Sequence, residues 1–134
     1  MGAGRDGHQQ RLEGVRVLLV EDHADTRDIY TQILTAVGAV VTTTAGARDA
    51  VRALAAVDVI VTDISMPDTS GLWLLEQARL NAPGVPVIAV SGYTADQVPG
   101  LVEARFDLVL LKPVDPWQLA DKIEALMRGR APSC

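Results

Sequence analysis

The stretch VTDISMPDTSG, Val61 to Gly71, ends an apolar, β-like run with a carboxylate, Asp63, and then turns on Met66 and Pro67. An aspartate that closes a buried strand and faces a proline turn is either a turn-maker or a reactive group. The residues around it in sequence do not separate the two readings, so the decision rests on what the rest of the chain brings to the same place.

From Val15 onward, short apolar runs alternate with longer helical patterns, the signature of βα units and a parallel sheet covered on both faces. Five runs read as strands: VRVLLV (Val15 to Val20), AVVTTT (Ala39 to Thr44), VDVIVT (Val57 to Thr62), VPVIAV (Val85 to Val90) and FDLVLL (Phe106 to Leu111). Between the first two, ADTRDIYTQILTAVG predicts a helix with Ile29, Ile33 and Val37 as its stripe and Gly38 as its stop. The last helix opens with Asp115 as N-cap and Pro116 at its first position, and Leu119, Ile123 and Leu126 form its buried stripe. After Ser91, Pro99 and Gly100 interrupt the pattern, which predicts a short or irregular helix there.

At 134 residues and 49% hydrophobic content the chain is one domain with one proper core. The Gly-rich, polar residues 1–14 read as a disordered tail, 15–128 as the domain and 129–134 as a C-terminal tail. A net charge of -5 argues against a general nucleic-acid or anionic-membrane binder. Cys134 is the single cysteine, so the fold stands without an internal disulfide. No export signal or membrane span is visible.

In an open parallel α/β sheet, functional groups gather beyond the carboxyl ends of the strands. The first strand ends in Glu21 and Asp22, the third in Asp63, the fourth in Ser91 and the fifth in Lys112, so all five should share one end of the sheet. Three carboxylates brought together repel one another, which raises the pKa of at least one unless a cation neutralises them. Lys112 supplies one charge, and hard oxygen donors without a Cys or His cluster suit Mg²⁺ better than zinc. A carboxylate beside Mg²⁺, an ammonium and a hydroxyl is suited to accept a phosphoryl group.

The motifs LLVEDHAD, VTDISMPDTSGL, VIAVSG and LLKPVD resemble, in order and spacing, the receiver domain of bacterial two-component response regulators, from Val15 to about Arg128. The resemblance implies a doubly wound, flavodoxin-like α/β fold of five βα units, with strand order 2-1-3-4-5, an order of which the family's chemotaxis member is an example. It implies that Asp63 accepts the phosphoryl group from a histidine kinase, a phosphotransfer protein or a small phosphodonor. Glu21 and Asp22, with Asp63 and the Ser65 backbone carbonyl, would hold Mg²⁺. Lys112, before a cis Pro113, would contact the phosphoryl group, and Ser91 would hydrogen-bond it on activation. Such a chain would be a cytoplasmic switch, either a stand-alone regulator or the receiver of a hybrid histidine kinase. It would catalyse only its own phosphorylation and dephosphorylation. Its downstream target, or a second copy in a homodimer, would meet the face made by the fourth helix, fifth strand and fifth helix. The family's usual aromatic reporter, three residues before the lysine, is replaced by Val109, which shifts the expected readout to the segment YTADQVPG after the fourth strand.

Several neighbours have plainer readings. Asp25 reads as a cap for the first helix, His23 as an exposed loop residue, Asp68 and Thr69 as turn-formers, and Gly71 as the start of the next helix. Trp73 and Trp117 fall off the buried stripes, where a tryptophan either covers the rim of its own core or meets a partner. Two rivals use related architecture. A haloacid-dehalogenase-type phosphotransferase needs a second aspartate two residues after the nucleophile, where this chain has Ser65. A receiver-like docking module would need none of the five polar residues.

Overall fold

The computed structural model describes residues 11–64, 70–92 and 105–129. Its elements are β1 (Arg16–Val20), α1 (Ala24–Ala36), β2 (Val40–Thr44), α2 (Ala47–Ala50) continued by a 3₁₀ turn (Val51–Ala56), β3 (Val59–Asp63), α3 (Gly71–Asn81), β4 (Val87–Ser91), β5 (Leu108–Leu111) and α4 (Pro116–Gly129). The five strands form one sheet in the order β2-β1-β3-β4-β5. Every pairing is parallel. This is the expected doubly wound α/β fold. The segment 93–104, with Pro99, Gly100 and the expected fourth helix, lies outside the described residues, so the fifth helix of the sequence pattern is α4 here.

Successive strand residues point to opposite faces, and here both faces are covered. On one face Val17, Leu19, Val59, Val61, Ile88 and Val90 pack with Tyr30 and Leu34 of α1 and Leu119, Ala120 and Ile123 of α4. On the other, Leu18, Val20, Ile60 and Val87 pack with Ala47 and Ala50 of α2 and Leu74, Leu75 and Ala78 of α3. A polar residue within these strands has little access to water, so polar groups are tolerated at the strand ends, where the site lies.

Two expectations are corrected. The buried stripe of α1 is Tyr30, Leu34 and the C-cap Val37, while Ile29 is 52% exposed and Ile33 only half-buried. A row of residues spaced by four runs obliquely to the helix axis. The face that meets the sheet therefore alternates steps of four and three. Residues 11–14 are also no loose tail. Leu12 is buried in the first core cluster, and its N–H donates to Val37 O at 2.8 Å.

Gly38 ends α1 as expected, at φ 101°. Its N–H donates to Thr35 O and that of Ala39 to Leu34 O, each at 3.0 Å, a Schellman closure. A β-carbon on Gly38 would stand 2.8 Å from the Glu13 Cα, so the turn also makes room for the N-terminal segment. Asp115 caps α4 as predicted, with Oδ1 accepting from Trp117 N at 3.1 Å. Leu119 and Ile123 are buried and Leu126 packs against the same core. Among the described residues, no helix is long and apolar enough to cross a membrane.

Candidate functional site

Three adjacent parallel strands end together. Asp63 is the last residue of β3 and pairs with Val90 of β4. Glu21 follows β1, extending its ladder through N–H to Thr44 O at 3.0 Å. Ser91 closes β4, and its carbonyl accepts from Lys112 N at 2.7 Å, which fixes where the chain leaves β5. The side chains of Glu21, Asp63 and Ser91 are buried, whereas Asp22 and Lys112 are partly exposed at the rim.

Lys112 Nζ lies 2.7 Å from Asp63 Oδ1. The peptide that follows it, Lys112–Pro113, is cis, as expected. By distance this is an ion pair, but it lacks hydrogen-bond alignment, and neither Asp63 oxygen has an aligned donor among the described residues. Burial pushes the Asp63 carboxyl up to about 7, the neighbouring Glu21 adds to the rise, and Lys112 opposes it. Burial by itself would lower the Lys112 ammonium, yet Asp63 and Glu21 outweigh it and hold the group above its ordinary value.

The Glu21 carboxylate is held by His23, whose N–H donates to Oε2 at 3.0 Å, and its carbonyl accepts from Arg27 Nη1 at 2.7 Å. The oxygen and nitrogen donors of Glu21, Asp22 and His23 lie within 4.8 Å of one another. Two buried carboxylates side by side, one without aligned donors, form a site short of positive charge. Its donors from Glu21, Asp22 and Asp63 are hard oxygens, so these residues fit a divalent ion of the Mg²⁺ class. Ser65, named for its carbonyl, lies outside the described residues, as do Asp68 and Thr69.

Other residues differ from their sequence readings. Asp25 does not cap α1; His23 is the N-cap, without a side-chain hydrogen bond, and Asp25 sits in the first turn, where a negative charge suits the helix dipole. His23 itself is exposed, as expected. Ser70 caps α3, accepting from Trp73 N at 3.2 Å, and Arg48 lies over the Trp73 ring, 5.5 Å from its centroid. Trp73 thus covers the rim of its own core. Gly71 was legible only as a helix start, yet it packs directly on the Asp63 carbonyl. Arg27 and Tyr30 carried no sequence signal beyond their helical positions.

The family model described as response regulator receiver domain matches residues 17–124. The chain belongs to that family. Among its relatives, this receiver domain is 32% identical over 115 residues to an uncharacterized 14.6 kDa protein of Leptolyngbya boryana, covering 82% of this chain and 88% of that one. It is 33% identical over 128 residues to the probable transcriptional regulatory protein TcrX of Mycobacterium tuberculosis, covering 89% of this chain but 53% of the regulator. The receiver therefore spans about half the length of several regulators it matches. A crystal structure of a CheY-like response regulator receiver domain from Methanospirillum hungatei superposes with a TM-score of 0.81 at 30% identity, covering 88% of this chain and 97% of that one. In this receiver Val109, three residues before Lys112, is 44% exposed on β5.

Proposed function

We propose that this receiver is a phosphorylation-dependent switch in which Asp63 accepts a phosphoryl group from the phosphohistidine of a histidine kinase or phosphotransfer protein. The observation that carries the reading is the 2.7 Å approach of Lys112 Nζ to Asp63 Oδ1 at the floor of an otherwise acidic site. An Asp63 oxygen attacks phosphorus, the bond from phosphorus to the donor nitrogen breaks, and the electron pair leaves with the imidazole. Lys112 faces the phosphoryl oxygens and offsets their charge, and the Ser91 hydroxyl hydrogen-bonds one of them on activation. Glu21, Asp22 and Asp63 would hold Mg²⁺, with the carbonyl of Ser65, outside the described residues, as the further ligand that the family resemblance implies. When bound, the ion neutralises the acidic oxygens and polarises the phosphoryl group.

The switch works in the cytoplasm, and catalysis is confined to its own phosphorylation and dephosphorylation. Its output face includes β5 and α4, where Val109, Leu111 and Trp117 are exposed apolar residues able to meet a downstream target or a second copy. With Val109 in place of an aromatic reporter, the expected readout falls to the segment YTADQVPG, which lies outside the described residues.

The test is mass spectrometry after incubation with acetyl phosphate and Mg²⁺. One phosphoryl adduct on the parent chain and none on Asp63→Asn supports the acceptor reading. The absence of an adduct on either chain, together with no fluoroberyllate binding, would leave a docking module that works without phosphorylation.

A further inference from the structure

The proposed chemistry needs the Lys112 ammonium held at Asp63, yet Lys112 leaves the sheet at its edge. β5 is an edge strand of four residues whose side chains alternate between half-buried and exposed. The backbone bond from Lys112 N to Ser91 O carries the ladder as far as the lysine itself. Past it, the chain turns through Pro113 and Val114 into α4.

A side chain of α1, Tyr30, ties that turn to another element. Its hydroxyl donates to Val114 O at 3.0 Å, across 84 residues of sequence. The ring is buried beside Leu34, Leu119 and Ala120, with Val114 packed against the same cluster, so the donor is held on a rigid platform. Tyr30, Lys112, Pro113 and Val114 also line one cavity of about 540 Å³. An open space beside a lysine stem gives the stem room to swing, and the Val114 anchor lies two residues along the chain from it. Burial pushes the Tyr30 phenol above its ordinary value, and Glu21 adds to the rise, so the group remains a donor at neutral pH.

From this geometry we propose that Tyr30 is a positioning residue for Lys112: its hydroxyl, by holding Val114 O, fixes the turn that places the lysine ammonium at Asp63. The helix that carries Tyr30 begins two residues after Asp22, so the same element joins the acidic pair to the lysine. The inference rests on the reading of Asp63 as phosphoryl acceptor.

The experiment measures the first-order rate of phosphoryl uptake from saturating acetyl phosphate in excess Mg²⁺, for the parent, Tyr30→Phe, Lys112→Ala and the double variant. Tyr30→Phe keeps the ring and removes only the donor. It should slow uptake about tenfold at saturating donor, with the half-saturating acetyl phosphate concentration unchanged. In the Lys112→Ala background, removing the same hydroxyl should change the rate by less than twofold, since no ammonium is left to position. A loss that merely followed from weakened folding would recur undiminished in that background, and this would overturn the inference, as would a Tyr30→Phe rate within twofold of the parent. Urea unfolding of all four proteins places each assay in the folded range. Failure of the parent itself to take up phosphoryl would remove the acceptor reading and this inference with it, whereas equal uptake by parent and Tyr30→Phe removes only the latter.

Discussion

Gly71, the first residue of α3, sits so close to the last residue of β3 that a β-carbon on it would stand 2.4 Å from the Asp63 carbonyl oxygen and 3.1 Å from the Ile64 Cα. Its N–H also donates to Ile64 O at 2.8 Å. The obstacle to a larger residue is backbone, not the yielding tip of a side chain. The helix can therefore press on the strand end that carries the site.

Gly71→Ala should consequently move the Asp63 backbone as well as destabilise the fold. Overpacking against backbone costs about 1–3 kcal/mol, which urea unfolding would read as a lower midpoint at unchanged slope. Fluoroberyllate binding should weaken in parallel. Parent-like behaviour in both measurements would show that the two elements are not in contact.

Asp63→Asn tests the buried charge. The folded-state value of about 7 stands above the ordinary 3.8, so between those values the folded chain keeps a proton that the unfolded chain has lost. Metal-free stability should accordingly fall as pH rises through that window. The amide does not ionise, and its stability advantage over the parent should grow by on the order of 2 kcal/mol from about pH 5 to about pH 8. Thermal unfolding in EDTA at the two pH values decides it, and added Mg²⁺ should narrow the gap at the higher pH.

Lys112→Ala leaves two buried carboxylates facing each other without their cation. Phosphoryl uptake from acetyl phosphate should drop on the order of 10²-fold, the usual effect of losing one electrostatic partner of a transferring group. Lys112→Arg should restore only part of it, because a guanidinium fork does not reproduce a compact ammonium. Uptake at the parent rate in Lys112→Ala would mean that the ion pair at 2.7 Å has no part in transfer.

Leu12→Ala addresses the segment ahead of β1. The side chain is fully buried, and truncating a leucine in such a setting costs about 2–4 kcal/mol. A change below about 0.5 kcal/mol in urea unfolding, the range of ordinary surface substitutions, would return residues 11–14 to the status of a tail.

What the sequence determined by itself were features written in neighbouring residues. Runs rich in β-branched residues or Leu marked all five strands, Gly38 marked the end of α1, Asp115 and Pro116 marked the start of α4, and the polar residues at the ends of those strands named Glu21, Asp22, Asp63, Ser91 and Lys112 together. These are local in cause: backbone preference, side-chain capping, and the rule that both faces of a parallel sheet are apolar until the strand ends. What only the tertiary structure decided depends on residues far apart in the chain. Helical period alone did not choose between the rows of Ile29 and Tyr30, because the choice lies in how α1 leans on β1 and α4. Leu12 looked like part of a polar tail until Val37 received its N–H, and Gly71 looked like a plain helix start until β3 was beneath it. The rise of Asp63 to about 7 comes from the same source, since it takes the assembled sheet to bury that carboxylate beside Glu21, against the opposing pull of Lys112.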